Sequence, residues 1–255
     1  MLVEPHWACA RDEPTHAVWG ALETALNANQ PAILLTHMPS PSQPAVPSQT
    51  HLLLRPDGST IGDWGALTAD AVKAGLAAYQ DRRSQLVTIA GQSVFAHVFV
   101  RRDQLLIIGA GHISIPLVGF AQALDFCTAV IDPRQVFATP ERFPVVPDQL
   151  LAQWPQAALK DWDLHDDTYT VVLTHDPKID DEALHFFLRA PVSYIGALGS
   201  RKSHAKRCAR LLEAGFNEAD MARIKGPAGL DIGSQTPAEI ALSIMAEVVA
   251  TKRSR

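Results

Sequence analysis

From residue 105 to residue 197, short, nearly unbroken apolar runs alternate with stretches of helical period. Leu105–Ile108, Thr128–Ile131, Thr170–Thr174 and Val192–Ala197 read as buried strands. Ser114–Leu124, Asp180–Arg189 and Lys202–Ala214 read as helices, the last stopped by Gly215. Strand then helix, repeated, predicts a parallel sheet with helices on both faces. Asp132–Gln149 reads as one long loop carrying Arg134, Arg142 and Phe143, and Asn217–Arg223 as a short helix. A final helix over Pro237–Ala250 has its own start signal: Thr236 as N-cap, Pro237 at the first helical position and Glu239 closing a capping box.

The first hundred residues follow another pattern and predict a smaller mixed α/β domain, 1–100, before a Rossmann-like domain, 101–255. Glu13–Asn29 reads as a helix with Trp19, Leu22 and Leu26 on one face, and Pro31–Met38 as a strand. The stretch Pro39–Gln49 is too rich in proline and serine to be a regular element. His51–Leu54 and Ser59–Ile61 flank Arg55-Pro56-Asp57-Gly58, where proline sets φ and glycine accepts positive φ, so a hairpin is expected. Thr68–Asp81 reads as a helix, and Gln85–Ala90 and Val94–Val100 as strands joined at Gly91-Gln92.

Composition narrows the class without naming a function. The 255 residues are 47% hydrophobic and 19% charged, ordinary for a globular chain. A formal charge of −5 argues against a general nucleic-acid binder. Lys252, Arg253 and Arg255 read as a solvated basic tail. No apolar run approaches the ~20 residues of a membrane span, and the opening MLVEPHWACARDEPTH lacks the apolar core of a signal peptide. Cys9, Cys127 and Cys208 are scattered, with no disulfide framework and no CxxC pair, which fits a reducing cytoplasm. The ten histidines form no short ligand spacing, so no dedicated zinc site is expected, and no metal ligand is assigned.

The chemistry lies in the loops after the strands, because open α/β sheets bind ligands outside the carboxyl ends of their strands. Gly109-Ala110-Gly111-His112 between strand and helix lets backbone approach a phosphate, at which the helix aims free N–H groups. Ser114 replaces the third glycine of the dinucleotide fingerprint. Asp132, some twenty residues on, stands where a ribose-binding acid is expected; Asp-Pro is also a common turn initiator. Arg134 is placed to meet an anion or to be merely solvated, and His112 to cap or to react. His175-Asp176 is either an orienting pair or a structural turn. Gly199-Ser200-Arg201-Lys202 at a helix start suits an anion, or is a solvated cap. Gly226–Gly233 holds more glycine than a simple turn needs, pointing to close backbone approach. No Gly-x-Ser-x-Gly elbow, Walker lysine loop or catalytic cysteine is evident, and no catalytic residue is assigned.

Taken in order, IIGAGHISIPL, VIDPRQVFATPERFP, LTHDPKIDDEAL, YIGALGSRKSHAKRCARLLEAG and GPAGLDIGSQTPAEIALSIMAEVVA closely resemble the xanthine dehydrogenase accessory protein (XdhC/CoxI) family over roughly residues 105–250. The resemblance implies a Rossmann-type C-terminal domain behind a smaller N-terminal one. It implies an accessory factor, not an enzyme, that transiently holds molybdenum cofactor, as plain molybdopterin or a dinucleotide. Such a chaperone supports sulfuration by a cysteine desulfurase and delivers the cofactor to a molybdenum hydroxylase. A homodimer is usual. Matching positions are Gly109, Gly111, His112, Asp132, Arg134, Arg142, Gly199, Ser200, Arg201, Gly229, Asp231 and Gly233. Family members carry Gly-Gly-Cys after the hairpin; here the stretch is Ile61-Gly62-Asp63-Trp64-Gly65, so no thiolate for molybdenum comes from it. An NAD(P)-dependent oxidoreductase and a partner-binding scaffold with a degenerate pocket are the competing readings.

Overall fold

The computed structural model describes residues 13–38 and 50–254; Cys9, the Pro39–Gln49 stretch and Arg255 lie outside them. The chain divides into two compact units, residues 1–101 and 102–255.

The first unit contains helix α1 (Glu13–Asn27), strands β1 (Ala32–His37), β2 (His51–Leu54) and β3 (Thr60–Ile61), helix α2 (Thr68–Gln80), and strands β4 (Gln85–Ile89) and β5 (Gln92–Phe99). They form an antiparallel five-stranded sheet in the order β3-β2-β1-β5-β4. Arg55–Gly58 makes the hairpin turn, with Gly58 at φ +86°. Ala90 (φ +48°) and Gly91 (φ +79°) form the turn between β4 and β5. The face of α1 differs from the expectation. Val18, Leu22 and Ala25 are buried, while Trp19 and Leu26 are 43% and 45% exposed. Spacing alone allowed either stripe, and the smaller side chains win where the helix lies close on Ala32, Leu34 and Leu53.

The second unit contains β6 (Gln104–Ile108), α3 (Ser114–Ala123), β7 (Cys127–Ile131), β8 (Gln149–Leu151), α4 (Pro155–Leu159), β9 (Thr168–Val172), α5 (Pro177–Arg189), β10 (Tyr194–Ala197), α6 (Arg201–Glu213), α7 (Glu218–Ala222), β11 (Ile224–Lys225) and α8 (Pro237–Arg253). Its sheet is parallel and six-stranded, in the order β11-β10-β9-β6-β7-β8. The first and fourth strands of the unit are neighbours, so the winding reverses between β6 and β9. That is the Rossmann order, and the crevice at the reversal is where such sheets hold ligands. Fully buried strand residues feed two cores. Leu105 and Ile107 face α3 and α8, through Leu117, Val118, Ile244 and Val248. Leu106 and Ile108 face α5 and α6, through Ile179, Leu184, Phe187 and Leu211. Each such side chain contributes about 1.5–3 kcal/mol by leaving water.

Strands β8 and β11 and helix α4 were not expected. The segment read as one loop from Asp132 ends in β8, which pairs with β7 through Ala129↔Gln149 to Ile131↔Leu151. The start of α8 matches expectation, with both arms of the Thr236–Glu239 capping box formed. Its end extends three residues past expectation, to Arg253, and corrects the solvated-tail reading at Lys252, while Arg253 is exposed as expected. Lys252 forms an ion pair with Asp103 and lies 5.1 Å above the ring of Phe126. Among the described residues no helix is long and apolar enough to cross a membrane.

Candidate functional site

The glycine turn leaves β6 at the reversal point. Gly109 has φ +106°, and an added Cβ would lie 2.8 Å from the Thr174 methyl carbon and 3.2 Å from its backbone nitrogen. Glycine is therefore required for the turn to pass β9. Gly111 differs, since an added Cβ there would meet nothing within 4 Å. The fold makes no steric demand for glycine at 111, and the open space lies beside the start of α3.

Ala110 between them is clamped from both sides. Its N–H donates to Asp132 Oδ2 at 2.8 Å, and its carbonyl accepts from Arg142 Nη1 at 2.7 Å. Asp132 is fully buried. It also accepts from the Arg134 backbone N–H at 2.9 Å, and from Arg134 Nε and Nη2 at 2.9 and 2.7 Å. Burial pushes its pKa up, but the bonds from Arg134 and Ala110 outweigh burial and hold it below the usual carboxylate range. The Arg134 side chain stays 43% exposed. The ring of Phe137 lies under both guanidinium groups, 4.5 Å from Arg134 and 4.9 Å from Arg142. Asp132, Arg134 and Arg142 are thus braces of the turn.

With Ala110 braced, the next three N–H groups are unspent. No protein acceptor among the described residues takes the N–H of Gly111, His112 or Ile113. Ser114 is buried, and its hydroxyl donates to the Gly111 carbonyl at 2.6 Å, closing the turn onto the helix. His112 is exposed. The turn can accept an anion by main-chain donors and the α3 dipole.

The other loops join this edge through contacts. At β9, Asp176 is the N-cap of α5, accepting from Lys178 N at 3.0 Å, so His175-Asp176 forms a structural turn. Ser200 caps α6 by accepting from Ser203 N at 3.2 Å, with Gly199 at φ +134° before it and Arg201 exposed after it. Ala228 N donates to Ala197 O at 3.0 Å, bringing the Gly226–Gly233 loop to β10. There Gly229, at φ +99°, presses on α8: an added Cβ would lie 2.3 Å from Ser243 Oγ and 3.0 Å from Ile244 N. Its N–H donates to Glu247 Oε2 at 2.9 Å, which also accepts from Tyr194 Oη at 2.5 Å. Burial and the facing Glu247 carboxylate push the Tyr194 hydroxyl far up. Asp231 and Gly233 are exposed.

Sequence reasoning missed one cluster. Thr174, Asp180 and Arg207 are all buried at this edge. Thr174 Oγ1 donates to Asp180 Oδ1 at 2.5 Å, and Arg207 Nη2 lies 3.5 Å from Asp180 Oδ2. Burial raises the Asp180 pKa to about 6 against the opposing pulls of Thr174 and Arg207. The available signal was position. Asp180 shares a helix face with Ile179, Ala183, Leu184 and Phe187, and Arg207 stands one turn before Leu211. A charge on an apolar stripe needs a partner.

Two other groups stand apart. His165, Asp166 and Asp167 bring ligand atoms within 4.8 Å of one another, but before β9, at the opposite end of the sheet. Burial raises the thiol pKa of Cys127 and of Cys208.

Residues 105–248 match the family model described as the XdhC Rossmann domain. YqeB of Escherichia coli, an uncharacterized protein, is 31% identical over 80% of this chain and 40% of its own length. A probable xanthine dehydrogenase subunit from Bacillus subtilis is 32% identical over 62% of this chain and 46% of its own. The molybdenum cofactor insertion chaperone PaoD of Escherichia coli is 31% identical over 34% of this chain and 27% of its own. The chain therefore spans less than half the length of each of these curated relatives. A crystal structure of a xanthine dehydrogenase from Bacillus halodurans superposes with TM-score 0.55 at 22% identity, covering 92% of this chain and 96% of that one, which supports the fold.

Proposed function

The chain belongs to the XdhC Rossmann-domain family, and from that premise we propose that it is an accessory factor that carries molybdenum cofactor as cargo. In this reading it shields the cofactor, presents it for sulfuration by a cysteine desulfurase, and inserts it into a xanthine dehydrogenase-type hydroxylase without turnover of its own. A homodimer in the cytoplasm, as in the resembling family, belongs to the same proposal. The observation that carries it is the braced glycine turn. Molybdenum cofactor ends in a phosphate or pyrophosphate, and the unspent N–H groups of Gly111, His112 and Ile113 suit either. Arg134, held by Asp132 yet 43% exposed, adds positive charge beside them. Its relative PaoD carries the name of a molybdenum cofactor insertion chaperone.

The residues fit the phosphate end better than the metal end. Cys127 lies at the amino end of β7, across the sheet from the turn, and Cys208 packs into the core under α6. Both thiols are pushed towards the protonated form by burial, so neither is a ready soft ligand. The cargo is then gripped by its phosphate, with the molybdenum end left reachable. The nicotinamide reading loses support at Asp132. Its carboxylate is already filled by Ala110 and Arg134, so a ribose diol must displace the bonds of a buried carboxylate.

Anaerobic gel filtration with freshly released molybdenum cofactor tests the proposal, with NAD(P) in parallel. Co-elution of molybdenum and pterin fluorescence near one per chain is expected. A folded protein that elutes without either, or that takes up NAD(P) instead, overturns it.

A further inference from the structure

Among the described residues, the edges of the two sheets are β3 and β4 in the first and β8 and β11 in the second. Three of these strands are blunted by length, with two residues in β3, three in β8 and two in β11. A short edge keeps its open main chain from pairing with another strand, and a charged edge does the same. Strand β4 uses neither device. It runs for five residues, Gln85-Leu86-Val87-Thr88-Ile89, without a charged side chain, and Leu86 is 67% exposed.

The hairpin fixes which main-chain groups of β4 are open. Its turn, Ala90-Gly91, has two residues at positive φ, so the flanking Ile89 and Gln92 form a hydrogen-bonded pair. Pairs then alternate. Gln85 and Val87 bond to β5, while Leu86 and Thr88 point their N–H and C=O groups away from it. Two bonds made by β5 agree with this alternation. The Ser93 carbonyl, opposite Thr88, accepts from Met38 N–H at 2.9 Å on the β1 side. Val98 N–H faces the other way and donates to Ser84 Oγ at 3.0 Å. Among the described residues no strand lies beyond β4 to meet Leu86 and Thr88.

We propose that β4 is a pairing edge for a second copy of this chain, which joins two five-stranded sheets into one. Antiparallel pairing about Val87 sets Leu86 opposite the partner's Thr88, and Thr88 opposite the partner's Leu86. The open groups of both residues are then met at once, and the Leu86 side chain is covered in the same step. Charge permits this register. Arg83 falls opposite the partner's Gly91, and the two Arg83 side chains start about 27 Å apart along the strands. The match is of the strand to its own sequence, which favours a second copy over a foreign strand. The inference rests on the homodimer proposed above and gives it a surface.

Sedimentation equilibrium of the full chain, without cofactor, should show a dimer. Leu86→Lys, which puts a charge on the exposed edge, should weaken it by about tenfold or more. Leu242→Lys, at a 50% exposed position of α8, should leave it intact. A cysteine reads the register without relying on affinity. At Val87 the two copies meet in a non-hydrogen-bonded pair, about 4.5 Å apart at Cα, which is within disulfide reach. Under mild oxidation Val87→Cys should therefore form a covalent dimer, beyond any linking of the unsubstituted chain through its own cysteines. Thr88→Cys should not, because its two copies lie on a diagonal about 7–8 Å apart. A dimer that survives Leu86→Lys, with Val87→Cys unlinked, overturns this surface and leaves the homodimer standing. A monomeric unsubstituted chain overturns both. Neither outcome depends on whether the cofactor binds.

Discussion

The turn at Gly109–His112 and the loop at Gly226–Gly233 stand at the same edge of one sheet, and both are rich in glycine. Each has one glycine pressed against a neighbour, Gly109 on Thr174 and Gly229 on α8, and one with open space at its missing Cβ, Gly111 and Gly233; the contrast lies between Gly111 and Gly229. At Gly111 the missing Cβ faces open space beside unspent N–H groups, whereas at Gly229 it faces the backbone of α8, with the N–H already bonded to Glu247. The first loop keeps its main chain available, and the second spends its main chain on packing. Glycine content therefore marks close approach in both, but only the neighbour tells whether a given glycine is held by packing or leaves open space.

Substitutions can break this contrast. Gly229→Ala should have the largest effect. It combines backbone strain at φ +99° with overlap on Ser243 and Ile244, together about 4 kcal/mol. Denaturant midpoints check it, and a loss below about 1 kcal/mol would return Gly229 to the ligand-facing class. Asp180 supplies a pH-dependent test of the floor beneath the first loop. Its folded pKa, about 6, lies above the ordinary 3.8, so the folded state holds the proton more tightly. Stability is greatest where Asp180 is protonated and falls as pH rises through about 6. Between pH 4 and pH 7 the unsubstituted chain should lose about 2 kcal/mol relative to Asp180→Asn; parallel pH profiles for the two proteins would contradict this.

Asp132→Asn should cost about 2 kcal/mol at neutral pH, because Arg134 and Ala110 lose a charged acceptor. Its depressed pKa gives it the opposite pH sense to Asp180: the stabilisation is present above the ordinary carboxylate value and disappears as pH falls below it. Gly111→Asp should have the smallest effect on stability, within about 0.5 kcal/mol, since its Cβ meets open space. It should nevertheless abolish cofactor co-elution, by placing a carboxylate where a phosphate is received. Retained binding by the folded variant would remove the turn from the site.

The parts of this architecture that were legible are those specified locally. Leu105–Ile108 and Thr128–Ile131 are buried on both faces, so their apolar runs announce parallel strands. Thr236, Pro237 and Glu239 carry a helix start in three residues. What escaped depends on distant partners. Strand β8 has three residues and β11 two, too short for any period, and both exist only because a neighbour pairs with them. Lys252 looks solvated until Asp103, far off in sequence, is beside it. Asp132 read either as a ribose-contacting acid or as the start of a turn, and its bond to the Ala110 N–H, 22 residues away, is one that no local pattern reports. Among the candidate residues, Gly109 and Gly111 could be picked out by sequence, but their division of labour could not.

The packing of α8 on α3 has a consequence for when the turn is complete. Leu117, Val118 and Ala121 of α3 share one core with Ala241, Ile244, Met245 and Val248 of α8. In ribosomal order α3 is among the first elements of its unit and α8 the last. A nascent chain that has made the glycine turn still lacks the helix that covers α3, and long-range closure of this kind is slow to form. The support of the glycine turn is therefore completed only when the two ends of the unit come together, so the turn shares the fate of the unit's most distant contact.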